Sequence, residues 1–307
     1  MFGENLPIRE IIRFDIQRKV SAHKTMESWT EKPHAGIIID LDVTNILAYR
    51  EKLKKSEKFS DVRPSLNSIT LKIIAESVKA FPELNAYVEY NQKGNYGTLT
   101  VFEDINIAIP YLLPDGRTIT PVIKQVGKKS VKEVCEEVAD LQRRVKNTDI
   151  DILLFQAGYQ DTIDNLKKGK IKFKRIRKNF FGKHKVNRPS RDELAAYKQI
   201  ADDDKVVVDD LVSATMLVSN VGSIYRNVPC AVGLLEIIPP QVTVVGLGSV
   251  QKKPAAIKDE SGEYKVAVRD IMPTSFYCDH RGMDFGPAVG AFEKLVDICK
   301  KPHDYLE

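Results

Sequence analysis

Cysteine is scarce in this chain. Four occur in 307 residues, Cys135, Cys230, Cys278 and Cys299, with no close pairing and no metal-ligand spacing. That argues against a disulfide-stapled scaffold and a cysteine-built metal site, and fits reduced thiols in a cytoplasmic protein. Long apolar runs are also missing: none approaches the ~20 residues of a spanning helix. The opening stretch, MFGENLPIREIIRFD, lacks the basic-then-apolar order of a secretory signal. Histidine occurs five times and tryptophan once. Acidic residues are absent from one segment, KKGKIKFKRIRKNFFGKHKVNRPSR (167–191), which holds twelve Lys or Arg. The whole chain carries only +5, so everything outside that segment is net acidic and the basicity is local. Net charge therefore gives no argument for nucleic acid. A hydrophobic content of 43% and a charged content of 29% are those of a globular chain long enough to bury a sizeable core.

Periodicity supplies the elements. AGIIIDLDV (35–43) reads as a strand and TNILAYREKLKK as a helix after it. In 65–81, Leu66, Ile69, Ile73 and Phe81 lie near one helical face, and Pro82 ends it. Four short strand-like runs follow, broken by Gly, Asp and Pro. Ser130 and Glu133 form a capping-box pattern ahead of a stripe of Val131, Val134, Val138, Leu141 and Val145. Strand signals return in ATMLVSN, QVTVVGLGSV, YKVAVRD and PTSFYCD, and a last helix starts near Pro287. Helices and strands mix without strict alternation, which predicts a layered α/β (α+β two-layer) arrangement rather than a doubly wound parallel sheet. One domain over 1–307, with an insertion at about 149–210 that contains the basic segment, fits better than two domains.

Two stretches can carry chemistry. His280 follows the strand PTSFYCD, where the chain leaves a sheet. A neutral imidazole there can take a proton from a hydroxyl or thiol and return it. Asp284, four residues on, can orient the ring or hold the loop. A surface pair without function has the same spacing, and metal binding is weaker still, since Cys278 is the one His or Cys near His280. In MLVSNVGS (216–223) a strand delivers Ser219 into a turn at Gly222, so its hydroxyl can donate to a developing oxyanion. A polar strand end is the plain alternative.

Taken in order, these stretches resemble a known family. DVTNILAYREKLKK, PELNAYV, INIAIPYLLPDGRTITPVIK, KKSVKEVCEEVADLQRRVK, LVSNVGS, IIPPQVTVVGLGSV and MPTSFYCDHRGMD are similar to the catalytic domain of the 2-oxoacid dehydrogenase acyltransferases (dihydrolipoamide acyltransferases). The resemblance implies a chloramphenicol acetyltransferase-like fold, a mixed sheet with helices packed on it. It also implies acyl transfer from a thioester donor to a thiol, hydroxyl or amine acceptor, within a ternary complex. His280 matches the family's general base and Ser219 its oxyanion donor. Asp284 matches a mostly structural aspartate paired with an arginine near the domain's start, for which Arg13 is the best match, with Arg18 close by. The family's site lies between subunits, so a homotrimer is implied, with a larger cubic assembly as an extension. No tightly bound cofactor or metal is expected; acyl-CoA is the expected co-substrate, with a lipoyl or acyl carrier protein acting in trans as the other donor.

The sequence departs from the pattern in three places. The family places Gly after the motif aspartate, where this chain has Phe285 and then Gly286. A position needing φ > 0 would strain a phenylalanine. No lipoyl or subunit-binding domain precedes the match, so a stand-alone form is expected. The basic segment interleaves Ile171, Phe173, Ile176, Phe180 and Phe181 with its charges. It is either a solvated arm on the acidic body or a contact for an anionic membrane surface, the phosphates of coenzyme A or an acidic carrier protein, with nucleic acid last. A trimeric scaffold that kept the fold without the chemistry is the alternative to an enzyme.

Overall fold

The structure, a computed structural model, describes residues 6–167, 188–259 and 261–306. Residues 6–15 run exposed into α1 (Ile16–Glu31), whose start is capped by the Asp15 carboxylate accepting from Arg18 N–H at 2.7 Å. Then come β1 (His34–Asp42), α2 (Thr44–Leu53), α3 (Leu66–Val78), β2 (Ala86–Asn91) and β3 (Tyr96–Val101). Four two-residue strands follow: β4 (Ile107–Ala108), β5 (Tyr111–Leu112), β6 (Thr118–Ile119) and β7 (Val122–Ile123). The chain continues through α4 (Val131–Lys146), α5 (Ile150–Lys167), α6 (Arg191–Gln199), β8 (Met216–Asn220), β9 (Thr243–Leu247), β10 (Gln251–Lys258), β11 (Tyr264–Asp279) and α7 (Val289–Lys300).

The main sheet runs β1-β11-β9-β8-β4-β7, with β10 also paired to β11. Strands β4, β8 and β9 are mutually parallel neighbours and the other pairs are antiparallel, so the sheet is mixed, as expected. Alternation sorts its faces. Met216 and Val218, Val245 and Leu247, and Met272, Phe276 and Cys278 point to the helices and join the main core. Leu217, Val244 and Tyr277 point the other way, against Leu235 and Ile237 of the 224–240 segment. Helix α3 is apolar nearly all round because it lies in the middle of the helical layer, with Ile69, Leu71 and Ile74 fully buried. Each such side chain contributes roughly 1.5–3 kcal/mol by leaving water. The expected capping box of α4 is present in both directions, Ser130 N–H donating to Glu133 at 2.7 Å and Glu133 N–H to Ser130 at 3.3 Å.

The YKVAVRD and PTSFYCD runs form one continuous sixteen-residue strand, β11. Its first half pairs with β10 alone; its second half is sandwiched between β1 and β9. The 149–210 interval is built into the core at both ends, where Ile150 and Leu153 of α5 pack with Val206, Val145 and Ile119. Residues 168–187, the greater part of the basic segment, lie outside the described residues. All four cysteines are free thiols. No helix among the described residues is long and apolar enough to cross a membrane.

Candidate active site

Strand β11 ends where His280 begins. The His280 N–H donates to Pro33 O at 2.9 Å, and Gly282 N–H turns back to Asp279 O at 2.9 Å. This sends the imidazole out of the sheet with about half of its surface exposed, while Asp279 before it is fully buried. Asp284 sits one turn later with Oδ1 3.0 Å from His280 Nδ1. A carboxylate can only accept, so Nδ1 carries the hydrogen, and in the neutral ring Nε2 presents a lone pair. Asp284 thus orients the ring. The structure does not bring Arg13 to it: Arg13 lies on the exposed 6–15 arm ahead of α1, and Arg18 reaches only over the Phe14 ring.

Other groups near the histidine are inert. Cys278 is buried in the core, and burial chiefly, with the Asp279 and Asp284 charges, pushes its thiol up to about 12. No cluster of three metal-ligating side chains occurs among the described residues. His34 is structural. Its Nδ1 faces Lys32 O at 2.7 Å and must donate, its Nε2 accepts from Ile237 N–H at 3.1 Å, and its ring stacks on Trp29.

Phe285 is not strained. Among the described non-glycine residues only Asn95, Gln125 and Ser213 have positive φ, so the residue after Asp284 has ordinary backbone geometry. Its ring lies partly buried, 5.8 Å from that of Phe292, and packs on the main core. The loop therefore accepts a phenylalanine where the resemblance leads one to expect glycine.

Ser219 comes from the far side of the sheet's centre. On β8 it shares the face of Leu217, opposite the helical layer, and its hydroxyl has no hydrogen-bond partner among the described residues. The strand end is fixed by Asn220, whose Nδ2 donates to Asn67 Oδ1 at 2.8 Å and whose Oδ1 accepts from Ser223 N–H at 2.9 Å. Gly222 matters for space rather than for turn flexibility. A Cβ there would lie 2.1 Å from Gly248 O.

The serine and the histidine do not meet within one chain. Ser219 pairs with Gly246, and Gly246 with Ser275, five residues short of His280 along β11. At about 3.3 Å per residue and about 4.8 Å per strand, their Cα atoms are roughly 19 Å apart.

This arrangement, a histidine oriented by an aspartate four residues on and a strand-end serine ahead of an Asn-x-Gly turn, is carried by a chain that a family model matches over most of its length. The model is that of the 2-oxoacid dehydrogenases acyltransferase (catalytic domain), and it matches residues 8–166 and 189–307. The chain belongs to this family. Between the two matched stretches the acyltransferase model leaves only residues 167–188 uncovered. Among curated relatives, the lipoamide acyltransferase component of the branched-chain alpha-keto acid dehydrogenase complex of Bacillus subtilis is 24% identical over 276 residues, covering 90% of this chain and 48% of the relative. The chain thus spans about half the length of the curated acyltransferases it matches. The cubic core of a pyruvate dehydrogenase multienzyme complex superposes with a TM-score of 0.67 at 17% identity, covering 100% of this chain and 98% of the other. A probable dihydrolipoamide acetyltransferase from Listeria monocytogenes gives 0.64 at 21% identity, covering 97% and 98%. At such identities the likeness establishes a shared fold.

Proposed function

We propose that this protein is an acyltransferase in which His280 of one subunit and Ser219 of a neighbour form each active site of a homotrimer. The observation that carries the reading is the His280–Asp284 pair at 3.0 Å, which in the neutral ring leaves Nε2 as the acceptor of a half-exposed side chain at the end of a buried strand. Nε2 takes the proton of an acceptor thiol, and the sulfur attacks the thioester carbonyl. The Ser219 hydroxyl donates to the tetrahedral oxyanion as it forms. Collapse expels the donor thiolate, which recovers the proton from the imidazolium. Both substrates are held at once and no acyl-enzyme forms, so the rate gain is one of positioning and of a preset donor.

Acyl-CoA is the proposed thioester donor, in the cytoplasm. The names of the curated relatives refer to lipoamide or a dihydrolipoyllysine residue, which makes a dihydrolipoyl thiol the first acceptor to test. Two exposed apolar surfaces support assembly. Leu6, Ile8, Ile11 and Ile12 on the N-terminal arm are 63–74% exposed, and Tyr264, Val266 and Val268 on β11 are 69–78% exposed. With ordinary backbone at Phe285, the departure from the family's glycine puts no strain on the loop that carries Asp284.

Subunit complementation tests the reading. His280→Ala and Ser219→Ala should each lower acetyl transfer from acetyl-CoA to dihydrolipoamide by about 10²-fold or more. Co-expressed at equal amounts, they should recover about a quarter of wild-type activity, because sites pairing an intact histidine with an intact serine reassemble across the symmetric interface. No recovery would place both groups in one subunit's site, against the distance above; full activity in His280→Ala would remove the histidine as base.

A further inference from the structure

Lys32 follows the last residue of α1, its N–H bonded to Ser28 O at 2.9 Å, and its side chain is only 1% exposed. An ammonium that deep needs partners. Its Nζ lies 2.8 Å from Asp279 Oδ2 and 2.8 Å from Gln241 O. The same carboxylate holds Arg281, with Nη2 2.7 Å from Oδ2, Nε 3.0 Å from Oδ1 and the backbone N–H 3.1 Å from Oδ1. Residues 279 and 281 flank His280. The histidine's own N–H is bonded to Pro33, the residue after Lys32. Two adjacent residues at the α1–β1 junction therefore grip both Asp279 and His280, with Arg281 tied in through the shared carboxylate.

Burial depresses the Lys32 pKa in spite of Asp279, so the site bears a real desolvation cost. Apolar residues of the same volume often stabilise a fold as well as a buried ion pair or better. What a charged cluster adds is direction, since its hydrogen bonds are satisfied in one geometry only.

We propose that Lys32 is a positioning residue for His280, setting through Asp279 the direction in which the imidazole leaves the strand. Lys32 itself meets no substrate. The kinetic part of this inference rests on the reading of His280 as the base; the placement of the ring can be observed without turnover.

Lys32→Met keeps the length of the side chain and removes its charge. In the assembled protein it should lower kcat for acetyl transfer from acetyl-CoA to dihydrolipoamide by about tenfold or more, with KM for both substrates within about twofold of wild type. In protein labelled at histidine, the His280 ring resonances, assigned by their loss in His280→Ala, should shift. If Lys32→Met does not fold, Asp279→Asn is read in the same way. A folded variant with wild-type kcat and an unchanged His280 resonance overturns the proposal. So does a kcat loss matched by a rise in KM, which would assign Lys32 to substrate binding. Failure of both variants to fold also overturns it, since the cluster would then serve stability alone. If wild type transfers no acetyl group, or His280→Ala keeps full activity, the base assignment falls, and the ring resonances alone decide the role of Lys32.

Discussion

Gly222→Ala is a one-carbon change whose effect follows from three distances. The added Cβ would lie 2.1 Å from Gly248 O, 2.4 Å from its carbonyl carbon and 2.6 Å from Ser249 N, where ordinary contact begins near 3.4 Å. All three are backbone atoms, so no rotamer change relieves the clash. The facing strand end is also pinned, with Gly248 N–H bonded to Pro273 O at 2.8 Å, Ser249 N–H to Cys230 O at 3.1 Å and Ser249 Oγ to Val228 O at 2.8 Å. The 221–223 turn must therefore retreat by about 1 Å, in a structure packed too densely to absorb it. Overpacking typically costs about 1–3 kcal/mol, and a backbone clash belongs at the top of that range. A loss of about 3 kcal/mol moves the urea midpoint down by about 1 M for a domain of this size. The retreat pulls on Asn220, bonded to Ser223 and Asn67, and so on Ser219 beside it. For the oxyanion donor proposed above, a displacement of about 1 Å costs about 10²-fold in rate. Urea unfolding and acetyl-transfer kinetics on the same preparation check both numbers. A wild-type midpoint would refute the steric argument. A shifted midpoint with unchanged kcat would refute the link from this turn to the serine.

Asp284→Asn should lower kcat about tenfold without a measurable change in melting temperature, because the carboxylate is largely exposed and supports the imidazolium rather than the fold; a falling melting temperature in scanning calorimetry would count against this. Gly290→Ala on the open side of α7, where a Cβ meets nothing within 4 Å, should stabilise by about 0.5–1 kcal/mol in the same urea assay. Asp279 is held below the ordinary carboxylate range: burial opposes the charge, but the Arg281 and Lys32 hydrogen bonds outweigh it. A depressed folded pKa means that its contribution is complete above the unfolded value of about 4 and is lost as pH falls toward the folded one. The stability gap between wild type and Asp279→Asn should therefore hold from pH 7 down to about 4 and narrow only below that. A gap that narrows between pH 7 and 5 would contradict the sign.

The fold was legible where local rules and core contact agreed. The capping box and apolar stripe of α4, the β-branched run of β1 and the start of α7 all announce themselves because one face of each must be buried. Helix α1 gives no such signal, since Ser28 is its one buried residue and no stripe is needed. Strand β10 goes unassigned by sequence, since QKKPAAIK pairs only with the exposed half of β11 and needs no buried face. Pro273 divides β11 into two runs by sequence, although the β1 ladder passes straight through it, opposite Asp40. Of the residues proposed for the site, His280, Asp284 and Ser219 lie in short motifs. Lys32 has no motif to betray it, because its partner is 247 residues away and a buried lysine looks like any other lysine until the fold is closed. The strain expected at Phe285 failed for the converse reason: family habit says what usually stands at a position, and only the backbone angle says what is tolerated there.

Strand β11 also sets where this chain can grow. Its second half is locked in register on both sides, residue against residue from Ile271 to Asp279 along β1 and from Thr274 to Cys278 along β9. One added residue there would turn Phe276 out of the helical layer and swing His280 to the opposite side of the sheet. The turn after β10 has no such constraint: Asp259 gathers Ser261 and Glu263 about an exposed bend with Gly262 at φ 84. Lengthening this bend leaves every pairing beyond it intact. Residues can be added at 261–263 without altering that register, whereas the nine residues leading into the histidine can be exchanged but not lengthened.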